Sequence, residues 1–187
     1  MKATLLLGIA AAALIVASGA QAAVTVLGPG PAQECYGYAE NGGDLREGIA
    51  RCSFALNTDL DTATRAATFV NRGVLYLGQH ENEKAIADID AGIRLDPDLG
   101  DAYVDRGAAL MALGRYADAL ADLSKGISLN PHRPHIAYYD RAIINEHNGD
   151  IRAAYNDYKK ALELEPGFTP AINELKRFRV VHKGDGV

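Results

Sequence analysis

Apolar residues recur at intervals of three and four from residue 34 onward, which is the period of one face of an α-helix. Residues 101–114 form one such stretch and close on Gly114, and residues 115–131 form a second and close on Pro131. Glycine and proline at these places end helices. The alternating Val, Ile and Thr runs that would predict strands are missing from this part of the chain. The pattern therefore predicts an all-α fold built from helical hairpins.

The hairpin pattern repeats at a fixed interval. Pro97, Pro131 and Pro166 each end a similar segment, and they are spaced by 34 and 35 residues. A period of this size is typical of solenoids, in which each unit buries its apolar face against its neighbours. When the units are aligned, equivalent positions, here called columns, carry residues of similar size. The columns of small residues are Gly73, Gly107 and Ala142; Ala85, Ala119 and Ala154; and Gly92, Gly126 and Ala161. A column of large residues contains Ile89, Leu123 and Tyr158.

The period, the small columns and the terminal prolines together resemble the tetratricopeptide repeat. The likeness covers three repeats, at 66–99, 100–134 and 135–168. The resemblance implies a right-handed α-solenoid whose first helices line a concave groove that binds peptides or proteins. It implies no catalysis.

The segments that flank the repeats complete the predicted organisation. Residues 23–33 are rich in Gly and Pro and are predicted to form a flexible leader. Residues 34–65 resemble a degenerate first hairpin. Thr169-Pro170 suits a helix start, so 169–181 is predicted as a C-terminal capping helix, followed by a tail at 182–187.

Residues 1–22 have a different composition. Lys2 precedes an apolar stretch at 4–17, and Ala-Gln-Ala at 20–22 fits the small-residue pattern at which secretory signals are cleaved. An uncleaved anchor is the alternative, but the stretch is shorter than the roughly 20 residues that span a bilayer. No Asn-x-Ser/Thr sequon occurs. We therefore expect a cleaved signal peptide and an exported protein without stable membrane insertion, located in the bacterial periplasm.

Export changes the interpretation of the two cysteines, because thiols in oxidising compartments pair into disulfides. Aligned with the repeats, Cys35 takes the column of Arg72 and Cys52 takes the core column of Ile89. These columns face each other between the two helices of one hairpin. We expect a Cys35–Cys52 disulfide within the degenerate hairpin.

Three arginines share another column, and an aspartate follows each of them sixteen residues later. The pairs are Arg72 and Asp88, Arg106 and Asp122, and Arg141 and Asp157. Because the hairpin brings the two positions together, we interpret them as structural ion pairs. The alternative is a row of ligand-binding arginines.

Charge and motif content exclude several classes of function. The net charge is −5 and no basic block occurs, which argues against nucleic acid as a partner. The histidines at 132 and 135 lack the further ligands of a metal site. No nucleophile has a dedicated base, and no phosphate-binding loop is present. We expect no catalytic residues, no metal and no cofactor.

The resemblance also implies which side chains line the groove, and these residues are here called the concave strip. They are Val70, Val74, Leu77, Asp101, Val104, Asp105, Ala108, Met111, Tyr139 and Ile143. Tetratricopeptide clamps for C-terminal carboxylates present Lys and Asn there instead. An apolar strip with acidic edges suits an extended apolar segment that carries Lys or Arg. Tyr139 and Met111 are the preferred anchors.

The sequence thus predicts a non-catalytic scaffold or adaptor for a protein or peptide partner. A self-associating structural module, which would make a homo-oligomer, and a helical subunit of a cell-envelope enzyme complex are the alternatives. Whether the leader or a second copy of the chain covers part of the concave strip stays open.

Overall fold

The computed structural model describes residues 4–7, 23–26 and 30–181. The helices in this part of the chain are α1 (Pro31–Asn41), α2 (Leu45–Leu56), α3 (Thr62–Gly78), α4 (Asn82–Leu95), α5 (Gly100–Ala112), α6 (Tyr116–Ser128), α7 (Pro134–His147), α8 (Ile151–Leu164) and α9 (Thr169–Leu175). A short antiparallel ladder pairs β1 (Thr4–Leu7) with β2 (Phe178–Val181). The rest of the predicted signal peptide and the predicted tail, 182–187, lie outside the described residues.

The chain divides into two compact units. The N-terminal unit contains the described residues of 20–133, and the C-terminal unit contains those of 1–19 and 134–187. In the N-terminal unit, helices α1 to α6 pack as three consecutive hairpins. In the C-terminal unit, α7 and α8 form a hairpin, α9 packs on α8, and β1 lies beside β2. Among the described residues, no helix has the length and apolar character that a membrane span requires.

Capping residues and turn residues set the helix ends. Asp44, Asp61 and Asp150 precede α2, α3 and α8 and accept hydrogen bonds from the backbone N–H groups of their first turns. Between the two helices of a hairpin, Gly114 and Gly149 adopt φ angles of 72° and 81°. These angles favour glycine. His80 occupies the same column in the first full repeat and has a φ of 60°.

The small columns allow the two helices of each repeat to approach closely. A Cβ added at Gly92 would lie 2.6 Å from Val70 Cγ2 and 2.9 Å from the carbonyl oxygen of Ala66. A Cβ at Gly126 would lie 2.7 Å from Val104 Cγ2. Val70 and Val104 therefore pack inside their own hairpins, against backbone that only glycine leaves uncovered.

The three Arg–Asp pairs are bidentate in the structure. Their Nε–Oδ2 and Nη2–Oδ1 distances are 2.6 and 2.8 Å for Arg72–Asp88, 2.7 and 2.8 Å for Arg106–Asp122, and 2.8 and 2.8 Å for Arg141–Asp157. Each guanidinium also lies over the ring of the aromatic residue three positions earlier, namely Phe69, Tyr103 and Tyr138. The hydrogen bonds to the aspartates raise the pKa of all three arginines.

The first two arginines also connect neighbouring hairpins. Arg72 Nη1 donates to the Ser53 hydroxyl of α2 at 3.0 Å. Arg106 Nη1 donates to Asp90 of α4 at 2.6 Å. Each arginine therefore binds the second helix of its own repeat and the second helix of the preceding hairpin, which helps to fix the stacking of the hairpins.

A disulfide joins the two helices of the degenerate hairpin. Cys35 of α1 and Cys52 of α2 are bonded, with a Cα–Cα distance of 4.6 Å. Both cysteines are fully buried and pack with Leu75 of α3. The bond constrains the hairpin whose sequence departs most from the repeat pattern.

The predicted capping helix is too long. It was expected over 169–181, but α9 ends at Leu175 and β2 begins at Phe178. The segment 178–181 reads FRVV, and aromatic and β-branched residues of this kind favour strands. In the full chain this segment pairs with β1, which lies within the predicted signal peptide.

We expect replacement of both cysteines by alanine to lower the free energy of unfolding by about 3 kcal/mol, because the disulfide restricts the unfolded chain. Guanidinium titration followed by circular dichroism measures the loss. Reductant should weaken the parent protein and leave the double variant unchanged. Two titratable thiols in the oxidised parent protein would show that the bond does not form.

We expect Asp122→Ala to lower the free energy of unfolding by about 1–3 kcal/mol, since it removes two hydrogen bonds from a half-buried guanidinium. Asp118→Ala is the matched control, because Asp118 lies on the same helix and forms an exposed pair with Arg115. The control should change stability by less than about 0.5 kcal/mol. Equal thermal shifts for the two variants would show that the Arg106 pair is not a structural contact of consequence.

Candidate binding site on the first helices

The leader is buried where the structure describes it. Ala23, Val24 and Val26 are 6%, 6% and 5% exposed, whereas Thr25 between the valines is exposed. An alternation of this kind is the pattern of an extended segment with one face covered. The prediction of a flexible leader over 23–33 is therefore wrong for these four residues, and α1 already begins at Pro31.

One side chain holds the leader by its backbone. The Val24 N–H donates to Asn71 Oδ1 at 2.7 Å, and Asn71 Nδ2 donates to the Val24 carbonyl oxygen at 2.8 Å. The carboxamide thus uses one donor and its acceptor on one residue of extended chain. Asn71 is fully buried in α3. Without an occupant, this amide would lose both of these partners and would have to bond to water instead.

The leader shares an apolar cluster with the first helices of the repeats. Val24 and Val26 belong to the same buried cluster as Ala67, Val70 and Leu77 of α3. Ala102 and Ala109 of α5 are further members. The leader therefore lies against α3, the first helix of the first full repeat, and shares its apolar cluster.

The structure divides the concave strip into buried and half-buried residues. Val70, Val74, Leu77, Val104, Tyr139, Asp101 and Asp105 are buried. Ala108, Met111 and Ile143 are half-buried. Among the strip residues, the half-buried ones are the side chains that a partner can contact without rearrangement of a hairpin.

Tyr139 is enclosed by other aromatic rings and is not an accessible anchor. Its ring lies 5.6 Å from that of Tyr158 and 5.2 Å from that of Phe168. Phe178 contacts Tyr158 on a further side, at 5.8 Å. Burial raises the pKa of Tyr139 to about 12. The expectation that Tyr139 anchors a ligand overlooked that the C-terminal unit needs this ring to fill its own core.

The acidic residues of the first helices are buried rather than exposed at the groove edge. Asp101 accepts from the His132 backbone N–H at 2.9 Å, and its other oxygen lies 2.6 Å from His132 Nδ1. Asp105 is 1% exposed. In the C-terminal unit, burial raises the pKa of Asp140 to about 7. The raised pKa means that the folded chain favours neutral Asp140. The contribution of this residue to the free energy of unfolding is therefore complete below about pH 4 and is lost as the pH rises towards 7.

An ion pair connects the first helix of the N-terminal unit with its last residue. Arg133 Nη2 lies 2.8 Å from Glu40 Oε1, across 93 positions of sequence. Both side chains are about 30% exposed. The pair brings the last turn of α1 next to the chain that leaves α6.

The C-terminal unit contains a separate depression of about 430 Å³. Its lining residues are Tyr155, Lys159, Leu162, Glu163, Leu175 and Phe178. Its lysine and glutamate are exposed, so it has no buried polar group that would select a ligand. Among the described residues, no group of three or more His, Cys, Asp or Glu side chains is arranged to hold a metal ion.

Sequence reasoning missed Asn71 and the two leader valines. Asn71 occupies the column of Asp105 and Asp140, at the same 34- and 35-residue spacing. The presence of an amide where the other two repeats have an acid could have indicated that residue 71 has a distinct role. The alternation of Val24 and Val26 around Thr25 was a second signal. It is only four residues long and adjoins a Gly- and Pro-rich run.

Two family models, both of the tetratricopeptide repeat, match residues 73–138 and 135–168. Together they span more than half of the 187 residues. The chain belongs to the tetratricopeptide repeat family. The fold class is accordingly an all-α tetratricopeptide solenoid. No curated protein matches the chain in sequence.

Solved tetratricopeptide structures resemble the chain over most of its length. PilW, a type IV pilus biogenesis factor, has a TM-score of 0.69 and 26% identity over 79% of this chain and 66% of its own. MamA has a TM-score of 0.64 and 21% identity over 80% and 82%. The first domain of Spaghetti (RPAP3), solved with the HSP90 peptide SRMEEVD, has a TM-score of 0.58 and 28% identity over 61% and 90%.

We expect the Val24 amide to exchange its hydrogen slowly, because it is buried and bonded to Asn71. Asn71→Leu removes both hydrogen bonds with little change in side-chain volume and should accelerate Val24 exchange at least tenfold. Amide exchange followed by NMR measures it, with the Leu123 amide of α6 as an internal control for the fold. Rapid Val24 exchange in the parent protein would contradict the described position of the leader.

Proposed function

We propose that the protein is a non-catalytic scaffold that binds an extended protein segment along the first helices of its repeats. The observation that supports this most directly is the pair of hydrogen bonds between Asn71 and the Val24 backbone. A buried carboxamide that accepts one N–H and donates to one carbonyl recognises extended main chain, whatever side chains it carries. The first helices therefore provide a chemical means of peptide binding.

The comparisons support a role in protein interaction. They also suggest that the partner of this chain differs in charge from the peptides bound by the RPAP3 domains. The RPAP3 domains were solved with HSP90 and HSP70 peptides, and SRMEEVD carries three acidic side chains. This chain has Asp101 and Asp105 on the first helix of its second repeat. Both are buried and so do not contact a partner, and the concave strip contains no Lys or Arg that could pair with an acidic tail. A partner segment with apolar residues fits better.

Export to the bacterial periplasm is part of the same proposal. The charged start, apolar stretch and Ala-Gln-Ala of residues 1–22 favour cleavage after Ala22. The Cys35–Cys52 disulfide is supporting evidence, because such bonds persist in oxidising compartments. Cleavage there would make Ala23 the first residue of the mature protein.

Site-specific photocrosslinking in the native cell envelope tests the proposal. A photoreactive residue at Met111, half-buried on α5, should give a discrete adduct with a partner protein. The same residue at Ser124, exposed on α6, should not give that adduct. The mass of the unreacted protein should correspond to a chain that begins at Ala23.

The adduct pattern separates the alternatives. Adducts that contain only a second copy of the chain would favour the self-associating module. Equal adduct yields at the two positions would place the partner away from the first helices and contradict the proposal.

A further inference from the structure

The leader has the features of a bound ligand. Its two valines are buried on either side of an exposed threonine, and its central backbone groups are both bonded to Asn71. Asn71 contacts only backbone atoms of Val24 in these bonds, so the valine side chains supply the selectivity. An external segment with the same alternation would satisfy every contact that the leader satisfies.

The leader is also tethered next to its site. Residues 27–30 separate the buried segment from α1, and they read LGPG. A short tether of this kind holds a segment at an effective concentration in the millimolar range. The tethered leader therefore competes strongly with any free segment for the same amide.

We propose that Ala23–Val26 is a built-in competitor for the Asn71 site, and that the partner is an extended segment with small apolar β-branched residues, such as valine, two positions apart, which displaces it. This inference rests on the proposed function, because it assumes that the first helices bind a partner segment. It adds the pattern of that segment and the regulation of the site. Binding is weak while the leader is in place and strengthens when the leader is released.

The covered site explains two observations together. Asn71 is fully buried with the leader in place, and its carboxamide would have to exchange both bonds to Val24 for bonds to water if the leader were absent. The valines would expose apolar surface if the leader were free. The leader supplies the hydrogen-bond partners of Asn71, and the site buries the leader valines. A partner segment with the same pattern of residues would make the same contacts.

Fluorescence anisotropy with a labelled peptide AVTVLG, the sequence of residues 23–28, tests the proposal. The Val24→Glu, Val26→Glu double variant of the full chain should release its leader, since burial of two carboxylates is unfavourable. It should bind the peptide at least tenfold more tightly than the parent protein does. Thr25→Glu changes an exposed residue of the same segment and should bind as the parent does.

Two further controls address specificity. A peptide with both valines replaced by threonine keeps the shape and the backbone but loses apolar contact, so it should bind at least tenfold more weakly. Asn71→Leu in the released variant should abolish binding of AVTVLG. Circular dichroism confirms that each variant keeps its helices.

A measurement on the parent protein makes the test independent of those variants. Saturating AVTVLG should accelerate exchange of the parent Val24 amide, because the leader is displaced. Slow Val24 exchange in the presence of bound peptide, or equal affinity of the parent and released proteins, would overturn the proposal. A partner adduct at Met111 together with either result would leave the scaffold function intact and reject only the competition.

Discussion

The close approach of the two helices within each repeat is the constraint on which the other features depend. Gly92 and Gly126 permit it in the first two full repeats, because a Cβ there would overlap Val70 or Val104, and the third repeat has the small residue Ala161 at this position. Close helices bring the arginine of the first helix within bidentate reach of the aspartate of the second. The valines that fill the hairpin are consequently unavailable to a ligand. Packing therefore decides which first-helix residues can serve function.

Stacking of the hairpins extends this constraint along the N-terminal unit. Arg72 and Arg106 each bind the preceding hairpin as well as their own, so the orientation of successive first helices is set by hydrogen bonds in addition to apolar contact. At the start of the array, where the repeat pattern is weakest, the disulfide takes over part of this role. The first helices are thereby held in place as a support for the leader.

The repeat architecture could be predicted from the sequence because its causes are local and periodic. Small residues at equivalent positions and the Arg–Asp spacing each recur three times, and the turn glycine recurs at 114 and 149, so the repeats support one another within one chain. The occupant of the groove could not be predicted in this way, because the Asn71–Val24 contact spans 47 positions and occurs once. Tyr139 was misinterpreted for a related reason. Its column predicts a groove position, but the rings of Tyr158 and Phe168 enclose it.

The chemistry of one column explains why the leader is held at the first full repeat. The residues of this column are Asn71, Asp105 and Asp140. Extended main chain offers a donor and an acceptor on each residue, and a carboxamide matches both. An ionised carboxylate only accepts, so it could not donate to a carbonyl group as the Asn71 amide does. The amide at residue 71 thus supplies both the donor and the acceptor that the Val24 backbone uses.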